Sequence, residues 1–399
     1  MPSESEIPIA SQGASRRFAT RLALFYGATF GMIGTHLPFF TVWLKAVGID
    51  AWWIGVIGAV PSLTRFTILP FVTSAAEKYS LRGALTVTAL ATAIGFAVIG
   101  TQHLPLAVLL VYAVTCSLWT PMMPLTDAYA LRGVARFGLN YGPLRLWGSA
   151  AFVAGALACG MLVDIVAARH LIWVIAALGL LGAIASLGLQ PLDRPKAAPV
   201  AAKGASALLR DPGFLAIIVA SALTQGSHAA YYTFASISWQ AAGLGGLTIA
   251  GLWVLGVLAE IVVFALSPRF TLPPALLVVI GALSAVARWL ITAQEPSVAV
   301  LAVVQLAHGL TYGLTQVGTM SLLVRHVPIH MMARGQGYLA ACGGMVTMAA
   351  SILSGVVYAG YGARVYCVMA AMALVASVIM WLARGRLKAF SSEVGTGSR

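Results

Sequence analysis

Twelve times along its 399 residues the chain runs apolar for about twenty residues or more with few charges inside the run. The runs cover roughly 18–44, 52–75, 83–101, 105–131, 144–167, 170–190, 213–240, 245–267, 274–294, 297–324, 335–360 and 363–383. An α-helix rises about 1.5 Å per residue and a bilayer's hydrocarbon core is about 30 Å thick, so each run is long enough to span it. Inside lipid a backbone must satisfy its own hydrogen bonds, and a chain with this pattern does so as helices. The expected fold class is all-α integral membrane, with twelve transmembrane helices in two six-helix bundles. Composition agrees: 60% of residues are hydrophobic and 9% charged, against about 25% charged in soluble proteins, and the mean hydropathy is +0.92.

The expected organisation is a cytoplasmic tail (1–17), a first bundle (18–190), a cytoplasmic linker (191–212), a second bundle (213–384) and a second tail (385–399). The linker is the long hydrophilic connection, QPLDRPKAAPVAAKGASALLRDP, and its Pro, Ala and Lys content predicts no fold of its own. The first fifteen residues are polar and acidic, without the basic start of a secretory signal, so the first apolar run is expected to remain as a membrane helix.

A net charge of +13 raises the question of nucleic acid. The Lys and Arg, however, occupy short breaks between apolar runs rather than one water-facing patch. With the N-terminus placed in the cytoplasm, eighteen flank the helices on that side and three (Lys45, Arg169, Arg364) on the other. That asymmetry places both termini inside and accounts for the charge as topology, which excludes nucleic acid as a partner. The four cysteines (Cys116, Cys159, Cys342, Cys367) fall singly within apolar runs and read as small core residues. His326 and His330, spaced by four in a cytoplasmic loop, have no third ligand nearby, so no metal site is expected.

Five charges lie within predicted spans: Arg65, Asp127, Arg145, Glu260 and Arg288. Each is costly in hydrocarbon and calls for a partner or a water-filled cavity. Glu260 sits in GLWVLGVLAEIVVFAL with Trp253, Gly256 and Phe264 on its own face. Polar stripes at spacings of three and four follow on helix 9 (Ser284, Arg288, Thr292) and helix 10 (Gln305, His308, Tyr312, Thr319), and precede it on helix 7 (Thr224, His228, Tyr231). Four consecutive helices are thus expected to line one cavity. Two readings of Glu260 stay open. It forms a structural ion pair with Arg288, or it binds and releases the proton of a carrier, with His308 bridging the offset between the two. A carboxylate that gains and loses a cationic neighbour between conformations changes its proton affinity, which is what coupling requires. Asp127 and Arg145, near the cytoplasmic ends of helices 4 and 5, are expected to form a structural or gating bridge. Arg65 has no acid on its own helix and is expected to face the cavity.

The segments PLTDAYAL, YGPLRLWGSAAFVAG, LWVLGVLAEIVVFAL, ARWLITA, QLAHGLTYG and GQGYLA, in this order, resemble the phenylpropionic acid permease branch of the major facilitator superfamily, related to lactose permease and nucleoside–proton symporters. The loop SAAEKYSLRG after helix 2 is similar to the superfamily signature G-x-x-x-D-R-x-G-R-R, with Glu77 at the Asp, Lys78 at the Arg and Ser74 in place of the first Gly. Pro143 stands where that branch has Arg. The resemblance implies proton symport by alternating access, with substrate held between the halves near the midplane. It matches Glu260, Arg288 and His308, the expected proton-coupling residues, to charged positions on helices 8, 9 and 10, and Asp127 and Arg145 to those on helices 4 and 5.

Three intramembrane arginines against two acids favour an anion. The substrate-binding candidates are Arg65, Arg288, Gln305, Tyr231, Trp253, Tyr312 and Trp147, with Trp119 and Tyr232 as further ring surfaces. The expected function is proton-coupled uptake of a small aromatic carboxylate such as a phenylpropionate-like acid. The alternatives are a sugar or nucleoside symporter and a drug or metabolite efflux antiporter. An enzyme or sensor lacks support, since no nucleophile–base pair or metal cluster is present. The expected partners are protons, a small molecule and the bilayer, with the proton gradient as energy source, no cofactor, a monomeric state and the bacterial inner membrane as location.

Overall fold

A computed structural model describes residues 12–69, 71–72, 80–192, 208–328 and 331–396, with side chains to 387. Glu77, Lys78, Ser74, His330 and residues 193–207 of the linker lie outside the described residues.

The helices follow the apolar runs. We number them α1 (Gln12–Ala46), α2 (Ala51–Thr67), α3 (Leu81–Ile99), α4 (Pro105–Phe137), α5 (Tyr141–Val163) and α6 (Leu171–Leu187). Then come α7 (Pro212–Gly226 continued by Ala229–Ala241), α8 (Gly246–Leu266), α9 (Pro274–Thr292), α10 (Val298–Leu306, a π segment Gly309–Leu314, and Thr315–His326), α11 (Met332–Tyr361) and α12 (Val365–Thr396). Among the described residues there is no strand. By length and composition nine helical stretches there qualify to cross a membrane, the last, Arg334–Leu387, combining α11 and α12. Those nine do not include α1 and α2.

Local chemistry sets the helix starts. Asp50 accepts from Trp53 N at 3.0 Å at the head of α2, and Ser80 accepts from Gly83 N at 3.3 Å at the head of α3. At the head of α7 Asp211 accepts from Gly213 N at 2.8 Å, with Pro212 in the first turn, where a missing N–H costs nothing. Pro38, Pro61, Pro121 and Pro124 are accommodated inside helices, as membrane helices allow.

Helix α1 packs against α5 and α6, and α3 against α4 and α6; α12 packs against α7 and α9 in a corresponding group among the later helices. The early and late helices meet chiefly along α2–α11 and α5–α8. Close approach on the first seam needs glycine on both sides: a Cβ on Gly55 would lie 2.7 Å from Gly355 Cα, and one on Gly355 would lie 2.9 Å from Ala51 O. On the second, Asp164 at the end of α5 accepts from Gly246 N at the start of α8, at 2.8 Å.

One sequence expectation changes here. Cys116 and Cys159 are buried, but Cys367 is exposed, because its side of α12 faces away from the bundle; it is not a core residue.

Candidate functional site

Between the two groups of helices lies a cavity of about 710 Å³. Its walls come from α1 (His36, Phe40), α2 (Ser62, Arg65), α7 (Gln225, Tyr231, Tyr232), α8 (Trp253, Glu260), α10 (His308, Tyr312, Gln316) and α11 (Gln336, Thr347), with Tyr112 of α4 and Phe152 of α5 completing them. One sequence expectation is extended and one, the place of helix 9 in the wall, is corrected. Besides helices 7, 8 and 10, the earlier helices α1 and α2 and the later α11 contribute as much wall, an extension of the sequence expectation. Helix α9 is absent from the lining, because Arg288 is covered by His308 of α10 and Tyr231 of α7.

Arg288 is 2% exposed, and both of its terminal nitrogens are hydrogen-bonded. Its Nη1 donates to His308 Nδ1 at 2.9 Å and to Thr311 Oγ1 at 3.1 Å, and its Nη2 donates to Gln305 Oε1 at 2.9 Å. The guanidinium carbon lies 4.7 Å from the Tyr231 ring centre and 4.6 Å from that of Trp289, so π-faces supply part of the solvation lost on burial. Its Nε has no partner among the described residues. Burying a guanidinium costs several kcal/mol, which this set of acceptors and rings offsets.

A guanidinium has no acceptor, so the contact with His308 fixes the ring's tautomer. Nδ1 receives the hydrogen bond and the ring's own hydrogen sits on Nε2. That nitrogen points at Glu260, whose Oε2 lies 3.7 Å away, slightly beyond hydrogen-bonding range. Among the described residues no ion pair joins Glu260 to Arg288 directly; His308 stands between them. Glu260 retains 24% side-chain exposure, toward the cavity, while His308 retains 7%.

Two structural details hold this geometry. A Cβ on Gly309 would lie 2.6 Å from Ala259 O, so only glycine lets α10 approach α8 this closely. The π segment begins one residue after His308 and shifts the helical register there, a feature common at functional sites. Behind the arginine, His228 lies within hydrogen-bonding distance of the Thr224 and Gln225 carbonyls through Nδ1, at 3.1 and 3.2 Å. Its Nε2 therefore accepts from the Thr311 hydroxyl at 2.9 Å. Thr311 thus gives its hydrogen to His228 and its lone pair to Arg288.

The other sequence-predicted residues divide. Arg65, Tyr231, Trp253 and Tyr312 line the cavity. Trp253 donates to Ser236 Oγ at 2.9 Å and packs its ring 4.5 Å from that of Tyr231. Arg65 is exposed and has no ion-pair partner among the described residues. Gln305 does not line the cavity; it holds Arg288 from behind. Trp147 is 61% exposed and absent from the walls, because it projects outward from α5. Phe264, placed on Glu260's face, is 37% exposed.

Asp127 and Arg145 do meet, at 3.9 Å, with side chains 36% and 31% exposed. Asp127 also accepts from the hydroxyls of Tyr26 at 2.6 Å and Tyr141 at 2.9 Å, and Arg145 lies over the Phe30 ring at 4.1 Å. This cluster is not part of the cavity lining.

Sequence reasoning missed His36, which is 8% exposed, lines the cavity and contacts the Tyr112 hydroxyl at 3.1 Å. An intramembrane histidine was the available signal. Among the described residues no group of three or more His, Cys, Asp or Glu is placed to hold a metal ion. His326 is hydrogen-bonded to the Asp211 carboxylate, which ties the end of α10 to the start of α7.

Comparison with known proteins decides the class. The family model described as "MFS_1 like family" matches residues 19–369. The chain belongs to this family of the major facilitator superfamily. Members are transporters rather than enzymes, and this family member is a multi-pass integral membrane protein, which in a bacterium means the inner membrane. It is 34% identical over 364 residues to a probable 3-phenylpropionic acid transporter of Escherichia coli (strain K12), covering 88% of this chain and 94% of the relative. It is 28% identical to the maltose permease of Geobacillus stearothermophilus, over 76% of this chain and 77% of that one. Among solved structures, the nucleoside transporter NupG matches with a TM-score of 0.81 at 16% identity, over 92% of this chain and 98% of that chain. That likeness speaks for the fold alone.

Proposed function

We propose that this family member is a proton-coupled symporter that takes up a small aromatic carboxylate of the phenylpropionate kind by alternating access. The observation that carries the reading is Glu260: a carboxylate exposed to the cavity, 3.7 Å from a histidine whose far nitrogen is held by a buried arginine. In this reading Glu260 carries the proton. When it is ionised, His308 Nε2–H turns toward it; when it is protonated, the Arg288–His308 contact persists without it.

The substrate's carboxylate pairs with Arg65, which lacks an ion partner among the described residues, and its ring lies against Tyr231, Tyr232, Trp253 and Tyr312. One bound anion and one bound proton add no net charge, so the loaded cavity reorients with the same charge as the empty one. The identity to the probable 3-phenylpropionic acid transporter supports this choice of substrate. The reading also takes twelve membrane crossings, both termini in the cytoplasm, the bundles 18–190 and 213–384 as the moving halves, and a monomer as the working unit. Asp127 and Arg145 serve as a gating or structural pair in it.

The test is proton uptake by de-energised proteoliposomes challenged in turn with 3-phenylpropionate, maltose and a nucleoside. Alkalinisation of the medium with the aromatic acid alone is the expected result. A response to the sugar or nucleoside instead replaces the substrate class and keeps the coupling. No response to any of the three, from protein that binds one of them, removes symport.

A further inference from the structure

A second cavity, of about 240 Å³, lies away from the first, where α9 begins, α10 ends and the later part of α12 passes. Its polar lining is basic: Arg325 and His326 of α10 and Arg384 of α12, set among Pro273, Leu276, Leu322, Trp381 and Leu387. None of these residues lines the central cavity.

The charges are arranged unusually for helix ends that only meet water. Arg325 is exposed. Arg384 is half-buried, with its guanidinium over the Trp381 ring, and its Nη1 is buried without a hydrogen-bond partner among the described residues. An orphaned guanidinium nitrogen is expensive to keep, so an acceptor is expected there. His326, in the same lining, is already bonded to Asp211, so the free basicity of the pocket rests on the two arginines.

The neighbouring surface is apolar and outward-facing: Val324 is 69% exposed, Trp381 47% and Leu382 75%. In a membrane protein such residues meet acyl chains, and a Trp beside arginines at a helix end marks the headgroup level. An anion that fits has a phosphate for the arginines and an acyl body for that surface. Basic pockets between membrane helices at the headgroup level bind anionic lipid in this way.

We infer that the pocket between α9, α10 and α12 binds the phosphodiester headgroup of an anionic phospholipid through Arg325 and Arg384. The site is separate from transport chemistry and does not depend on which substrate is carried.

The measurement is lipid retention by the purified full-length protein under native mass spectrometry, after exchange into mixed phosphatidylglycerol and phosphatidylcholine. At about 1 kcal/mol per basic residue near a headgroup, two arginines give phosphatidylglycerol a preference of roughly tenfold or more. The double variant Arg325→Gln, Arg384→Gln loses that preference, and Arg325→Lys, Arg384→Lys keeps most of it. The Lys pair also reports whether altered folding, rather than lost charge, is responsible. Equal retention of phosphatidylglycerol by wild type and the Gln pair overturns the assignment, as does the absence of any preference in wild type. Inorganic phosphate is the separate arm. If it alone raises the thermal midpoint of wild type but not of the Gln pair, and lipid preference is absent, the pocket takes a free anion and the lipid assignment falls.

Discussion

Two charged clusters inside the helical bundle invite comparison. Arg288, His308 and Glu260 are centred on an arginine with 2% exposure, held by three hydrogen bonds and two rings. Asp127 and Arg145 meet at 3.9 Å with about a third of each side chain exposed, and Asp127 is satisfied largely by two tyrosine hydroxyls. The first cluster commits both terminal nitrogens of its arginine to neighbours and leaves one carboxylate toward the cavity. The second has water within reach of both charges. A buried charge network is sensitive to the loss of any member, whereas a solvated pair is worth little. Position, rather than charge content, is what distinguishes the two clusters.

The largest effect expected from this contrast is in Arg288→Met. Three acceptors lose their donor, and the expected loss of stability is on the order of 3 kcal/mol, with uptake abolished. Chemical unfolding of the purified protein and vesicle uptake check both; unchanged stability would mean that the network is not the constraint described. Next comes Glu260→Gln, which keeps the shape and removes the titrating group. Uphill accumulation of 3-phenylpropionate is expected to vanish while substrate exchange across the membrane persists, and full accumulation by this variant would end the assignment of the proton to Glu260.

Arg65→Gln probes the cavity rather than the network. Losing a charge-assisted contact of about 1.5–3 kcal/mol is expected to weaken carboxylate binding roughly 10- to 100-fold, read as the Kd for 3-phenylpropionate at fixed pH. Gly309→Val forces α10 off α8, since a Cβ there would lie 2.6 Å from Ala259 O. Overpacking of this kind costs about 1–3 kcal/mol, and uptake should fall with it as Glu260 and His308 separate. The smallest effect belongs to the second cluster. Asp127→Asn keeps an oxygen for Tyr26 and Tyr141, and its coupling to Arg145 in a double-mutant cycle is expected at about 0–1 kcal/mol. A coupling well above that range would move Asp127 from brace to participant.

Much of this molecule was legible in the sequence. Hydropathy alone placed a helix on every apolar run, because lipid forces each long run to close its own hydrogen bonds. The five intramembrane charges were also visible, because such residues are too costly to be incidental. The offset between Glu260 and Arg288 along their helices, read from helical rise, pointed to His308 as a bridge between them. The sequence misassigned Trp147 and the wall role of Gln305, since both depend on how each helix is rotated about its axis. His36 escaped notice for a different reason: its helix lies far from helices 7 to 10 in sequence.

Chain composition and periodicity therefore determined the class, the helices and the inventory of costly charges. Only tertiary structure decided which of those charges meet, which face the cavity, and that α1, α2 and α11 complete it. The physical reason is that a helix's length and apolarity are written in its own residues, whereas its rotation and neighbours are set by close approach at positions such as Gly55, Gly309 and Gly355. Those glycines act only against the backbone of a partner helix distant in sequence.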